Sequence, residues 1–132
     1  MADRSLIAAA VAARTKAYAP YSRFLVGAAV KDETGKVHAG CNVENAAYPE
    51  GTCAEAGAIA AMILAGGRRI TEAAVVGGGE GLVTPCGGCR QKLREFGTPD
   101  LTIHVCDETG KVKRSFALAD LLPSSFGPEN LS

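Results

Sequence analysis

The sequence has no excess charge of either sign, because 14 lysines and arginines balance 14 aspartates and glutamates among its 132 residues. A chain that binds nucleic acid or an anionic membrane surface usually carries a basic patch or stretch. Aromatic side chains, on which single-stranded bases would stack, amount to only four phenylalanines and three tyrosines. The composition therefore predicts neither a nucleic acid nor a membrane as partner.

Long apolar runs are also missing. The longest uncharged apolar window, residues 56–67, is well short of the roughly 20 residues that a membrane-spanning helix needs. A second run, Leu6–Ala13, is as long as the core of a short signal peptide. Asp3 before it and Arg14 after it favour instead an amphipathic helix capped by Ser5. We therefore expect a cytoplasmic protein.

An even set of cysteines, the sign of a disulfide framework, is absent as well. The chain has five, of which Cys86 and Cys89 form a Cys-x-x-Cys motif. In an intracellular protein this motif indicates metal or redox chemistry.

The predicted fold follows from alternating helical and strand-like patterns in the order αββαβαββα. Hydrophobic residues make up 47% and charged residues 21%, and this length suits one domain, residues 1–132. The strand–helix–strand unit in 73–106 implies a parallel crossover, whereas the turn at Asp32–Lys36 implies an antiparallel hairpin. We therefore predict an α/β fold with three layers, α/β/α, around a mixed sheet of about five strands. The predicted elements are a helix that begins after Ser5 and stops before Pro20, strands at Phe24–Val30, Val37–Val43, Ala73–Gly77, Leu101–Cys106 and Val112–Ala117, helices at Cys53–Leu64, Gly87–Phe96 and Leu118–Leu122, and a loop-like tail, Pro123–Ser132.

Three cysteines lie where two predicted helices begin: Cys53 opens one, and Cys86 and Cys89 open the other. Helix N-termini favour thiolates, and zinc is a thiophilic ion that takes four ligands. A fourth protein ligand is not evident, and three ligands with an open position are typical of a catalytic zinc that holds water. The other possible metal ligands are not expected to bind metal. We expect His38 and His104 to lie at strand ends or at the surface, and Cys41 and Cys106 to be small buried side chains.

Glu55 follows Cys53 by two residues, which suits a general acid and base beside the open metal position. A glutamate in the first turn of a helix is also explained by the helix dipole alone. The Cys-x-x-Cys motif downstream favours the catalytic interpretation. The rest of this helix is apolar on every side, which predicts that partner subunits cover its outer face.

A resemblance carries the interpretation further. Thr52–Glu55 together with Pro85–Gln91 resembles the zinc nucleoside deaminases. Further segments, which extend the resemblance over residues 18–131, look like the small cytidine deaminases of the homotetrameric type: Tyr18–Ser22, Phe24, Val26–Ala29, Asn42–Tyr48, Leu121–Pro123 and Phe126.

The resemblance implies a reaction: one zinc ion per chain, held by the three cysteines, activates water that attacks C4 of cytidine. Glu55 would move protons from this water to ring N3 and to the leaving ammonia. Deoxycytidine would react in the same way, as a step of pyrimidine salvage. The resemblance also implies a homotetramer with shared active sites. The implied substrate-binding residues are Phe24, Asn42, Glu44, Ala54 and Thr84, with Tyr48 and Phe126 reaching sites across subunit boundaries.

Three alternatives remain open at this stage. A non-enzymatic zinc module would need metal only for stability, and Glu55 together with the missing fourth ligand argues against it. A nucleic-acid-editing deaminase is disfavoured by the balanced charge. A deaminase for another base-containing compound would lack the Asn42–Asn45 segment.

One departure from the family is Ala56, where relatives with three cysteine ligands commonly carry an arginine, so the helix N-termini or Arg90 must balance the thiolate charge.

Overall fold

The fold is built around a mixed β-sheet, and the computed structural model describes residues 2–131. These residues form the helices α1 (Arg4–Arg14), α2 (Ala54–Leu64), α3 (Gly87–Phe96) and α4 (Leu118–Leu121) and the strands β1 (Val26–Asp32), β2 (Val37–Cys41), β3 (Ile70–Gly77), β4 (Thr102–Cys106) and β5 (Val112–Ala117). The strand order is β2-β1-β3-β4-β5, with β3 and β4 parallel and every other pair antiparallel. The predicted α/β architecture with a mixed five-stranded sheet is confirmed. None of the described helices is long and apolar enough to cross a membrane.

Helices cover both faces of the sheet. On one face α1 buries Leu6 and Ala10 against small side chains of β1 and β3. On the other face Met62 of α2 and Leu93 of α3 pack over the valines and isoleucines of the central strands. Because both faces are covered, residues 73–77 of β3 are buried without alternation, as expected for a central strand.

Two glycines set how closely the helices approach. A Cβ atom at Gly27 would lie 2.6 Å from the backbone nitrogen of Arg14 in α1. A Cβ atom at Gly40 would lie 2.5 Å from the Ala54 carbonyl oxygen in α2. Both contacts are with helix backbone, so a side chain at either glycine would push the helix outward.

The predicted N-cap of α1 was wrong, whereas its predicted end was right. The helix stops before Pro20, at Arg14, but its N-cap is Asp3 rather than Ser5. The Asp3 carboxylate accepts the backbone N–H groups of Ser5 at 2.8 Å and Leu6 at 3.3 Å. A carboxylate at this position also interacts favourably with the helix dipole.

Several other predicted boundaries of strands, and the predicted tail, also differ from the structure. Strand β1 begins at Val26, because the Asn42 side chain accepts the Val26 N–H at 2.8 Å and donates to the Phe24 carbonyl at 2.8 Å. Strand β2 ends at Cys41 rather than Val43, and β3 begins at Ile70, where it pairs with Asp32. The tail predicted as a loop contains a 3-10 turn, Pro128–Leu131.

The two histidines were predicted at strand ends or at the surface, and His38 does lie near the start of β2, whereas His104 lies in the middle of β4. Each is buried and paired with a carboxylate: His38 Nε2 lies 2.7 Å from Asp32 Oδ2, and His104 Nε2 lies 2.6 Å from Glu72 Oε2. Of the two remaining cysteines, Cys106 is buried as expected, whereas Cys41 is only half-buried.

Candidate metal centre and active site

Three sulfur atoms meet where α2 and α3 begin. Cys53 is the N-cap of α2, Cys86 is the N-cap of α3, and Cys89 lies in the first turn of α3. The three Sγ atoms all lie within 4.8 Å of one another, and no other histidine, cysteine or carboxylate of residues 2–131 joins the group. The fold thus assembles the three predicted metal ligands from two parts of the chain.

The spacing of the sulfurs fits zinc. Three thiolates at about 2.3 Å from a tetrahedral zinc ion are about 3.8 Å apart, and the Sγ atoms of Cys53 and Cys86 are 3.6 Å apart. Thiolates are ligands that zinc prefers, and three of them leave one coordination position for a water or a substrate atom. The cluster is therefore suited to a catalytic zinc ion.

The thiol pKa values show why a cation belongs here. At Cys86 burial raises the pKa, but the backbone N–H of Cys89 and the two neighbouring thiols lower it below its ordinary value. At Cys53 burial and the Cys86 thiol raise the pKa, and at Cys89 burial and the nearby Glu55 raise it strongly. A backbone N–H at a helix N-terminus thus helps to lower the pKa at one thiol of the three. Holding all three as thiolates requires a bound cation.

Glu55 lies in the first turn of α2 and is only 5% exposed. Burial raises the pKa of its carboxyl group, while its own backbone N–H and the Cys89 thiol partly offset that rise. A solvated glutamate explained by the helix dipole alone would not be buried against a metal ligand. A buried carboxyl group next to a metal position suits a general acid and base.

The segment around Asn42 is tied to the start of α2. Val43 and Thr52 exchange two backbone hydrogen bonds, of 3.0 and 2.9 Å, directly before Cys53. On the other side the Tyr18 N–H donates to the Asn42 carbonyl, and the Glu44 N–H donates to the Tyr18 carbonyl at 2.8 Å. This short ladder places the predicted ribose-binding residues beside the metal ligands.

The side chain of Glu44 organises the neighbouring loop. Its carboxylate accepts the backbone N–H groups of Tyr21 and Ser22 and the Ser22 hydroxyl. The Ser22 hydroxyl is the main cause that lowers the pKa of Glu44 below its ordinary value, so the carboxylate is ionised at neutral pH. Glu44, Tyr21 and Tyr48 line a cavity of about 320 Å³.

The predicted aromatic residues lie on the surface of the chain. Phe24, Tyr48 and Phe126 are 43%, 75% and 56% exposed. The rings of Tyr21 and Tyr48 lie 5.8 Å apart. Large exposed aromatic rings around a site are typical of surfaces that meet a ligand or another protein chain.

Ala54 and Thr84 flank the sulfurs. Ala54 is fully buried as the first residue of α2, where backbone N–H groups lack partners within the helix. Thr84 is held by Arg90, whose guanidinium donates to the Thr84 hydroxyl at 3.1 Å and to the Pro85 carbonyl at 2.7 Å.

Arg90 has a structural role that sequence reasoning missed. Its remaining nitrogen donates to the Leu121 carbonyl at 2.8 Å, so each of its three nitrogens holds an oxygen rather than a ligand sulfur. Its place next to Cys89 suggested charge compensation, and no local pattern reveals a contact 31 residues away.

Comparison with known proteins agrees with this geometry. The zinc-binding region that characterises cytidine and deoxycytidylate deaminases matches residues 1–105. A cytidine deaminase of Sporosarcina psychrophila is 42% identical over 127 residues, which are 96% of this chain and 93% of that protein. One from Mycobacterium tuberculosis is 43% identical over 122 residues, which are 92% of this chain and 87% of that protein. The crystal structure of a cytidine deaminase from Burkholderia pseudomallei has 48% identity and a TM-score of 0.87, and the match covers 96% of this chain and 100% of that one. From the sulfur cluster, the fold and these relatives together, this chain belongs to the zinc-dependent cytidine and deoxycytidylate deaminase family of hydrolases.

Proposed function

We propose that this chain hydrolyses cytidine to uridine and ammonia, that it accepts deoxycytidine as a second substrate, and that it serves pyrimidine salvage in the cytoplasm. The observation that carries the proposal is the buried carboxyl group of Glu55 beside three sulfurs that find no fourth ligand among residues 2–131. A purely structural zinc site would be closed by a fourth ligand and would need no buried acid.

The residues divide the chemistry between them. Zinc held by Cys53, Cys86 and Cys89 would supply Lewis-acid activation of water. The Glu55 carboxylate accepts a proton from the attacking water and delivers it to N3 of the pyrimidine ring. It then takes the proton of the hydroxyl group added at C4 and gives it to the amino group, so that the C4–N bond breaks, ammonia leaves and the C4 carbonyl of uridine forms. Its burial supports this role, because burial raises the pKa of the carboxyl group, and a higher pKa suits a carboxyl group that must both accept and release a proton near neutral pH.

Substrate recognition falls to groups around the sulfurs. The Ala54 N–H and the Thr84 carbonyl contact the base, and Phe24 packs against the base or the sugar. Asn42 and Glu44 bind ribose hydroxyls, and their hydrogen bonds to the loop at 21–26 support this role because they hold both side chains in place. Polar groups arranged for hydroxyls reject the free base, which leaves them unpaired.

We further propose a homotetramer of single-domain subunits, residues 1–132, with shared active sites. The outer face of α2 is apolar, and Leu64 at its end is 90% exposed. Tyr48 and Phe126 are exposed on the surface of the chain and would reach the sites of neighbouring subunits. Such apolar surface is most economically covered by further copies of the chain.

One experiment tests the activity and its substrate class. Zinc per chain is measured in the purified protein, and the ultraviolet absorbance is followed with cytidine, deoxycytidine, cytosine, cytidine monophosphate and adenosine. We expect one zinc per chain and turnover of the two pyrimidine nucleosides alone. A zinc-replete protein that turns over neither nucleoside would contradict the proposal and favour a structural zinc module.

A mixing experiment tests the shared sites. Glu55→Gln and Phe126→Ala chains are purified separately, then dissociated and reassociated together. If Phe126 serves a neighbouring site, hybrid assemblies contain sites with both native residues, and activity rises above the sum of the two variants. Full activity in a species of about 13.5 kDa by light scattering would rule out the tetramer.

A further inference from the structure

The flank of α3 that follows the metal ligands binds the end of the chain, which we call the C-terminal segment (residues 122–131). Gln91 Nε2 donates to the Phe126 carbonyl at 2.9 Å. One turn further on, Arg94 Nε donates to the Ser125 hydroxyl at 2.9 Å, and the Arg94 guanidinium forms an ion pair with Glu129. Two side chains of α3 therefore hold the segment on both sides of Phe126.

The contact with Arg94 is close, and on the Arg94 side it is shielded from water. Arg94 is only 7% exposed, although it carries a permanent charge. A Cβ atom at Gly127 would lie 2.5 Å from Arg94 Cζ, so the backbone of the segment lies directly on the guanidinium group. Without Glu129 and Ser125 this buried charge would lose two of its partners, which opposes release of the segment.

The Phe126 ring itself takes no part in this anchoring. It is 56% exposed, whereas its backbone carbonyl is held by Gln91 and the next residue lies on Arg94. The backbone on either side of the ring is thus held while more than half of Phe126 stays exposed. An aromatic ring held in this way loses little conformational entropy when it contacts a ligand.

We propose that Gln91 and Arg94 are positioning residues that hold the Phe126 ring for nucleoside binding in a neighbouring subunit. This rests on the proposed function of Phe126. Helix α3 would then act in two sites, because Cys86 and Cys89 at its N-terminus bind the metal of one site while its flank presents the aromatic ring of another. Helix α3 would thereby connect the metal position of each subunit to substrate binding in the neighbouring subunit.

The test is a double-mutant cycle between Gln91→Leu and Phe126→Ala. Gln91 is exposed, so its replacement leaves the core intact. We expect Gln91→Leu to raise KM for cytidine about 3–10-fold, the range of one lost hydrogen bond, with kcat and zinc content unchanged. In the Phe126→Ala background the same change should have no further effect on KM, because the ring it positions is gone. Glu95→Leu, an exposed position on the same helix, is the matched control and should leave KM unchanged.

The other outcomes separate this inference from the proposed function. An equal rise of KM in both backgrounds, or no rise with native Phe126, would overturn the positioning role while leaving the deaminase proposal intact. If Phe126→Ala alone leaves KM unchanged, the proposed role of Phe126 fails, and the inference fails with it.

A second variant tests whether α3 anchors the C-terminal segment by a measurement that does not depend on activity. Arg94→Lys keeps the charge but loses the planar guanidinium that holds two partners. We expect amide hydrogen exchange of residues 125–130 to become faster in this variant, together with a higher KM. Unchanged exchange in residues 125–130 would show that Arg94 does not anchor the segment.

Discussion

Each face of the sheet has a glycine under a helix and a carboxyl group near that helix, but the two carboxyl groups have different partners. On each face a glycine lets a helix approach closely, Gly27 under α1 and Gly40 under α2. On the α1 face the neighbouring carboxylate, Glu72, is tied to Lys31 at 3.3 Å and to His104 at 2.6 Å. On the α2 face the carboxyl group of Glu55 is buried against thiols.

The pKa values express this difference. Burial raises the pKa of Glu72, but hydrogen bonds from the Asp3 N–H, His104 and Lys31 lower it below its ordinary value overall. For Glu55 burial prevails and the pKa rises. A carboxylate that is fully paired stabilises the fold, whereas one that lacks a cationic partner in contact is available for chemistry. The contrast is therefore between Glu72, whose partners lower its pKa, and Glu55, whose burial raises it.

The largest expected effect comes from making the same substitution on both faces. Glu55→Gln should lower kcat/KM about 10²–10⁴-fold, because an amide of nearly equal shape cannot transfer protons. Glu72→Gln should keep near-native activity because its contacts are with α1, β1 and β4. The measurements are cytidine turnover, zinc per chain and the melting temperature of each variant. Near-native turnover by zinc-replete Glu55→Gln would refute the catalytic role of Glu55.

The next largest effect is expected when the two glycines under the helices are each replaced by alanine. Gly40→Ala and Gly27→Ala should each destabilise the protein by about 1–3 kcal/mol, because the new methyl group meets helix backbone. Only Gly40→Ala displaces the helix that begins at Cys53, so it alone should reduce zinc affinity and turnover in the folded protein. Urea unfolding, zinc titration and turnover are compared for the pair. Equal loss of zinc affinity in both variants would show that the two faces are not independent.

The smallest effect is the acid sensitivity of the α1 face. The pKa of Glu72 is lower in the folded state than in an unfolded chain, so its contribution to stability is complete above about pH 4.5. That contribution is lost as the pH falls below this value, because the unfolded chain then binds the proton more tightly. Glu72→Gln should therefore cost about 1 kcal/mol at pH 7, and less as the pH approaches 3. Urea unfolding at pH 7, 5, 4 and 3 checks this, and a constant difference across the series would contradict it.

The elements that could be predicted are those with a local signature. The order of helices and strands followed from periodicity and turn residues, and Gly66, with a φ of +101°, ends α2 as the sequence indicated. The start of β1 could not be predicted, because the Asn42 side chain takes over the hydrogen bonds of Phe24 and Val26. The burial of both histidines was missed for a similar reason, since their carboxylate partners come from other strands or an earlier turn.

The metal ligands are the clearest case of what the sequence by itself determined. Cys53 and the Cys86–Cys89 pair each open a helix, and local chemistry at helix N-termini was enough to name all three cysteines. The catalytic interpretation of Glu55 also needed the Cys-x-x-Cys motif more than thirty residues downstream. Only the tertiary structure decided that the three sulfurs meet, that Glu55 is buried, and that Arg90, Gln91 and Arg94 bind residues more than thirty positions away. The physical reason is that a helix start or a turn is decided by neighbouring residues, whereas burial and long-range hydrogen bonds depend on which distant segments the sheet brings together.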